Sequence, residues 1–494
     1  MDFSGLYFLY GIFPLIVLAY FLVPGDVYKN AVLIAASLLL YAMCQPVYVP
    51  LILLLCRMNY NYSLKVRKGN RMTLAVPVSI NLAIFAMLRY FDPLMVLAGF
   101  GTEHGGLLAG VAARFVSYLN GYGAGLAVPS SVSALGLAFF TLNSISYLTD
   151  IYRGKHAAEK SFWTFLLHMV LFVKLFQGPL VRYTHTAGQL RTRRENFRTV
   201  LDGMVRFCTG LGKKVLLADY CGRMILELAE NGSDRALVGS WLAAILFLFR
   251  LYYDFSGCCD MAIGLGRIFG FRIPENFNLP YTSITVTDFL ARWNLTLTAF
   301  FRDYVYTPFT AKRPGTGNRY IALMLCAVLG GIWHGPSLNF LIWGLYLFVF
   351  VLAEELFEGY LIDLPDWLRR TMTMLVLLFG WVIFMHSDVQ SLAETLKAMI
   401  GNGGASVAGD GMRVLNCLPL IIACWIGVTS IPRQIRFRWR NACGMSGRKD
   451  QPAQTPKQVY VHMAVSVAYI FLLLWWCTVS RAWLPAVPSV FLSL

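Results

Sequence analysis

The feature that most constrains this chain is a series of long, continuously apolar runs. They span 5–23, 30–43, 72–91, 131–151, 161–181, 237–256, 320–333, 337–358, 371–387, 413–431 and 459–479. Crossing the hydrocarbon core of a bilayer takes about 20 mostly apolar residues in a helix. Only helices and closed barrels satisfy their backbone hydrogen bonds at that depth, and these runs lack the alternation of barrel strands. Stretch 46–56 is apolar but short and reads as re-entrant or tilted, while 104–128 and 283–310 are mixed. The expectation is an all-α integral membrane bundle of about ten to thirteen helices, incomplete ones included. Composition agrees. The 494 residues are 57% hydrophobic and 14% charged, and that is too little charge to cover a soluble surface.

The first run follows Met1 and Asp2 without a basic flank, and no small-residue cleavage site follows Val23-Pro24, so it is expected to stay as a helix. The net charge of +16 gathers largely in three loops. One carries Lys65, Arg67, Lys68 and Arg71; the second Arg191, Arg193, Arg194 and Arg198; the third runs from Arg433 to Lys457. Basic loops beside membrane helices mark the cytoplasmic face and meet anionic lipid, so the charge speaks for membrane lipid and not for nucleic acid. Placing the first two loops on one side requires 104–128 to cross as well. The eleven cysteines form no C-x-x-C pair, and several lie within apolar runs. Cys258-Cys259 has no His or Cys at metal spacing, so no metal site is expected.

No polar linker or fixed-period repeat divides the chain. A single membrane-embedded domain over 1–494 is therefore expected, with N-terminal helices in 1–181 and a polar centre in 236–360. C-terminal helices follow in 361–494, with a basic loop at 433–457. The region 182–235 is amphipathic. Within it VRFCTGLGKKVLLADY suits a helix lying at the interface, with Lys213 and Lys214 reaching toward headgroups.

An ionisable group inside an apolar membrane segment is costly and therefore a functional candidate. One window concentrates them. Asp254 and Asp260 lie in YYDFSGCCDMAIGLGRIFGF; PENFNLPY follows, whose prolines disfavour a continuous helix. Asp288, Arg292, Asn294, Arg302, Asp303 and Tyr304 come next, and then His334 in LGGIWHGPSLNFLIWGLY. Gly330-Gly331 and Gly335-Pro336 flank His334, so the helix is expected to break there and line a cavity. A neutral imidazole accepts a proton near pH 7 without carrying fixed charge through lipid, which suits a general base. A buried histidine bonded to a neighbouring helix has the same sequence context. Of the other six histidines, His104, His156 and His185 fall in loops, and His168, His386 and His462 lie within or at the ends of apolar runs without a surrounding polar cluster. Asp254 and Asp260, six apart, fall on different faces of an ideal helix, which weakens an acid–base pair but leaves a cation or proton site open. Arg302 and Asp303 are adjacent and are not expected to face each other.

At this point the sequence resembles the membrane-bound O-acyltransferase superfamily. It is more closely similar to the bacterial alginate O-acetyltransferase branch, which includes the D-alanyl transfer proteins of teichoic acid synthesis. The matching stretches run in family order from LGLAFFTLNSISYLTDIYRG at 135 and FQGPLVRYTHTAGQL at 176 through DFSGCCDMAIGLGRIFGFRIPENFNLPY at 254. RWNLTLTAFFRDYVYTP at 292, GGIWHGPSLNFLIWGLY at 330 and GWVIF at 380 follow. The resemblance covers roughly residues 5 to 400. It implies a bundle with broken helices around a central funnel, and it puts His334 in the W-H-G position of the family's catalytic base. The second motif residue, usually His in this branch, is Asn294 here; Asn is common there in the wider superfamily. Met385 stands where the branch often has Arg.

The implied chemistry is transfer of an acyl group, acetyl in the first instance, from a cytoplasmic thioester (acetyl-CoA or an acyl carrier protein) to a hydroxyl of an extracytoplasmic polysaccharide such as alginate, with D-alanyl transfer to teichoic acid or O-acylation of a lipid as alternatives. His334 would take the hydroxyl proton and Asn294 would donate to the thioester carbonyl oxygen. Trp293, Trp333, Tyr304 and Tyr306 are candidate tunnel walls, and Gln177, Arg182, Arg302, Asp303, Asp254 and Asp260 candidate substrate contacts. No bound cofactor is implied. By analogy with the family the setting is a bacterial inner membrane, beside a separate periplasmic or extracellular acyltransferase partner. A transporter with broken helices and a scaffold for polysaccharide export are the competing classes.

Overall fold

The structure is a computed structural model that describes residues 3–100, 107–121, 134–175, 178–312, 314–442, 456–484 and 487. Among these residues the regular elements are all helical. Seven helices are long and apolar enough to cross a membrane, and three shorter apolar helices accompany them. The chain divides into two compact units.

The first unit comprises Met1–Glu195 and Phe269–Pro274. It contains α1 (Phe8–Leu22), α2 (Asp26–Cys44), α3 (Val49–Ser63), α4 (Arg71–Leu97), α5 (Leu107–Gly121), α6 (Leu137–Tyr152) and α7 (Phe162–Val170). The apolar stretch at 46–56 belongs to a longer element: a 3-10 turn, Pro46–Tyr48, leads into α3, which continues to Ser63. Its polar second half is accommodated because Asn59 and the buried Asn81 of α4 exchange reciprocal amide hydrogen bonds of 2.8 and 3.0 Å. The run at 161–181 is interrupted at Leu171, where the backbone leaves the helical region. The freed Phe172 N–H donates instead to Ser37 Oγ of α2 at 3.0 Å.

The second unit comprises Asn196–Ile268 and Glu275–Leu494. Its elements are α8 (Phe197–Gly212), α9 (Asp219–Glu230), α10 (Leu237–Ile268), α11 (Leu295–Phe301), α12 (Thr316–His334) and α13 (Leu338–Leu356). They continue with α14 (Asp366–Met385), α15 (Val389–Met399), α16 (Asp410–Val428), α17 (Ile431–Ala442) and α18 (Pro456–Trp483). Helix α10 is buried almost from end to end and forms the centre of this unit. Glycines let α8 approach it closely. A Cβ on Gly210 would sit 2.5 Å from Gly257 O, and one on Gly264 2.5 Å from Phe207 N. Small residues are what permit helices to pack backbone to backbone in a membrane.

That packing changes the expected role of the lysines. A π-helical turn, Lys213–Ala218, joins α8 to α9 and carries both inward. Lys214 is 1% exposed, and its Nζ lies 2.8 Å from Asp219 and 3.0 Å from Asp254. Arg481 of α18 reaches Asp219 from another side at 2.9 Å. Lys213 pairs with Asp260 at 2.8 Å, as does Arg206 at 2.7 Å. Instead of reaching toward headgroups, Lys214 is enclosed with its counter-ions. The basic stretch beginning at Arg433 starts as helix α17, and 443–455 lie outside the described residues.

Candidate active site

His334 is the last residue of α12, which stays helical through Gly330 and Gly331 and ends at Gly335. The glycine pair therefore does not break the helix. Gly331 instead lets α12 approach α13, since a Cβ there would fall 2.6 Å from Phe340 O. The half-buried imidazole sits among aromatic rings. Trp343 and Phe384 meet it edge-on, each with its centroid at 5.2 Å, and Trp333 does so at 4.9 Å. Three rings standing steeply to one imidazole restrict its tilt.

Asn294 lies one residue before α11, in a left-handed conformation with φ of 45°. Asparagine tolerates that region better than most residues, because its short polar side chain bonds locally. Here the local partner is Asn276. Asn276 Nδ2 donates to Asn294 Oδ1 at 3.1 Å, while Asn276 Oδ1 accepts from Thr296 N–H at 3.1 Å and Thr296 Oγ1 at 2.8 Å. The backbone joins in, with Leu295 N–H donating to Asn276 O and Asn278 N–H to Arg292 O, both at 3.0 Å.

Asn294 and His334 line one cavity of about 500 Å³, together with Trp293, Arg302, Tyr306, Cys326 and Trp343. Most of the wall is aliphatic and aromatic, from α11, α12, α13 and the segment before α11. A volume of this size holds a small substrate fragment, and few polar groups converge on it. Trp293 belongs to a wider aromatic cluster, 5.0 Å from Phe277, 5.0 Å from Trp381 and 5.4 Å from Phe289. Trp381 in turn stacks on Trp343, which touches His334. Glu354 of α13 fixes Thr287 on the cavity wall by accepting from its N–H and hydroxyl, both at 2.9 Å.

The remaining sequence candidates are placed differently. Asp303 ion-pairs with its neighbour Arg302 at 2.9 Å. The two do meet, within the π-helical turn Arg302–Tyr306. Tyr304 packs against Phe300, the rings tilted with their centroids 4.8 Å apart. Asp254 and Asp260 do not line the cavity; they hold the ion clusters of α8, α10 and α18. Arg182 is buried in the first unit, and Gln177 lies outside the described residues. No set of three or more His, Cys, Asp or Glu is grouped as metal ligands would be among the described residues. Sequence reasoning missed Asn276, Trp343, Trp381 and Phe384. The one local signal for Asn276 was an amide between the prolines of PENFNLPY, next to the polar window.

The model of the membrane-bound O-acyltransferase family matches residues 155–393, which hold both Asn294 and His334. A probable alginate O-acetylase of Azotobacter vinelandii is 30% identical over 414 residues, covering 82% of this chain and 79% of the relative. A peptidoglycan O-acetyltransferase of Helicobacter pylori is 27% identical over 81% of this chain and 80% of its own length. A teichoic acid D-alanyltransferase of Bacillus subtilis is 26% identical over 51% of this chain and 67% of its own. The protein is thus a multi-pass membrane enzyme that transfers acyl groups to hydroxyls. It belongs to the membrane-bound O-acyltransferase family.

Proposed function

We propose that this chain moves an acetyl group from a cytoplasmic thioester, carried by coenzyme A or an acyl carrier protein, to a hydroxyl of an extracytoplasmic polysaccharide of the alginate kind. The observation that carries the reading is the single apolar-walled cavity shared by His334 and Asn294. The acceptor hydroxyl gives its proton to the imidazole as its oxygen bonds to the thioester carbonyl carbon. The C–S bond then breaks, and the leaving thiolate takes the proton back from the imidazolium. The cation sits at the carbonyl end of α12, where positive charge is favoured.

During the addition Asn294 donates its amide N–H to the carbonyl oxygen as charge gathers there. Such a donor is worth about 3 kcal/mol. The aliphatic wall keeps out water, which would otherwise compete with the acceptor. Trp293 shapes the wall, and Arg302 stands among its lining residues as a cation for an anionic part of donor or acceptor. The setting is a bacterial inner membrane, with a separate periplasmic partner completing delivery to the polymer.

The acetylated-polysaccharide reading is favoured over D-alanyl transfer because the match to the alginate relative spans 82% of the chain and that to the D-alanyl relative 51%. The test is deletion of this chain in its host, followed by separate measurement of alkali-labile esters on exopolysaccharide, peptidoglycan and teichoic acid. Acetate lost from exopolysaccharide alone supports the proposal. D-alanine lost from teichoic acid, or acetate from peptidoglycan, replaces the acceptor; no loss from any polymer removes the reading.

A further inference from the structure

We infer that Asn276 is a positioning residue of the transfer reaction, aiming the Asn294 amide into the cavity. The inference rests on the reading of Asn294 as donor to the carbonyl oxygen. Oxygen and nitrogen of an asparagine amide are not told apart by shape, so they are assigned from their partners. Here one partner leaves no choice. The Thr296 backbone N–H is only a donor, so the Asn276 atom 3.1 Å from it is the oxygen. The other arm of Asn276 is then NH₂, and the Asn294 atom 3.1 Å from it is an oxygen. The Asn294 nitrogen is the end turned away from Asn276. A chain of single-sense hydrogen bonds, starting at a backbone N–H, thus fixes which end of Asn294 is free to donate.

The anchor is rigid. Asn276 is 1% exposed, its backbone carbonyl holds Leu295 N–H at 3.0 Å, and its Nδ2 also reaches Cys259 Sγ of α10 at 3.4 Å. Without the Asn276 donor, the Asn294 amide is free to rotate by half a turn and present its carbonyl to the developing oxyanion. That orientation repels the charge that the other stabilises.

Three substitutions test this, scored as the rate of O-acyl ester formation on cell polysaccharide per unit of membrane protein. They are Asn294→Ala, Asn276→Ala and Asn276→Asp, with the two Asn276 changes repeated in the Asn294→Ala background. Asn294→Ala is expected to slow the reaction about 100-fold. Asn276→Ala should approach that loss, and should add little in the Asn294→Ala background, because it acts through a side chain already gone. Asn276→Asp carries its own signature. The carboxyl it introduces accepts from Thr296 when ionised but cannot then donate to Asn294, whereas the protonated form restores both bonds. In permeabilised cells buffered across pH 6 to 8.5 (roughly the span in which a buried carboxyl changes charge), the rate of this variant relative to the unaltered chain should fall as pH rises.

A role confined to structure predicts instead an equal loss from Asn276→Ala in both backgrounds and a pH-independent ratio for Asn276→Asp; either result overturns the inference. Full activity of Asn276→Ala with a slow Asn294→Ala also overturns it while leaving the Asn294 reading intact. Full activity of Asn294→Ala removes that reading itself. Melting of the detergent-extracted, fluorescently tagged chain separates lost fold from lost aim.

Discussion

Replacing Gly331 with alanine puts a methyl where the backbone of α13 already is. The added Cβ lies 2.6 Å from Phe340 O and 3.0 Å from Leu341 Cα, where ordinary contact begins at 3.4 Å. Neither obstacle is a flexible side chain, so α12 and α13 must part by about 0.8 Å at this level. His334 lies three residues further along α12, and Trp343, which holds its ring edge-on, lies on α13. A misplacement of about 1 Å costs roughly 100-fold in a reaction that depends on alignment. The expected loss is therefore about 10- to 100-fold in ester formation. Overpacking costs about 1–3 kcal/mol, offset by about 1 kcal/mol from the better helix propensity of alanine. Stability should thus fall modestly while activity falls steeply. Gly317→Ala is the control on the same helix, since nothing lies within 4 Å of its added Cβ and it does not line the cavity. The assay is polymer ester content together with the melting temperature of each extracted variant. A Gly331→Ala protein with unaltered activity would refute the claim that this close crossing positions the base.

Two further outcomes follow from the charges. Lys214→Met removes the cation shared by Asp219 and Asp254 and leaves Arg481 as the counter-ion on Asp219, which should destabilise the chain by up to about 3–5 kcal/mol. Because neither aspartate lines the cavity, the protein that still folds should keep its activity per molecule; loss of specific activity at unchanged melting would contradict this. Asp388 caps α15, where hydrogen bonds from the Ser391 backbone N–H and then its hydroxyl hold the carboxyl below its usual range. A depressed value means the cap stabilises above the ordinary carboxylate value of about 4 and is lost as pH falls through the folded-state value. The melting difference between Asp388→Ala and the unaltered chain should therefore be present at neutral pH and shrink in strong acid, and a constant difference would show that the charge has no part in it.

The membrane fold was legible because hydrophobicity over twenty residues is a local property, and a bilayer reads it locally. The departures occur where a distant residue decides. α3 runs to Ser63 because Asn59 finds Asn81, twenty-two positions on. The break at Leu171 is held through Phe172 by Ser37, 135 positions before Phe172. Lys214 looked like an interfacial lysine because Asp254, its second counter-ion, lies a whole helix later. In the site, His334 stood out since its polar and glycine neighbours are adjacent in sequence. Asn294 was reached through the resemblance. Asn276 was not, because its meaning lies in which of its two atoms faces Thr296 and which faces Asn294. The break expected around His334 falls at Gly335, where α12 ends, whereas Gly331 stays helical because the neighbouring α13 makes it a packing contact.

The central claim is that His334 takes the acceptor proton. The most direct measurement is polymer O-acyl ester content in a deletion strain complemented with the unaltered chain or with His334→Ala, at matched amounts of membrane protein. The account predicts restoration by the unaltered chain and none above the deletion background by His334→Ala, with both proteins melting at similar temperatures. Equal restoration by the two would contradict it.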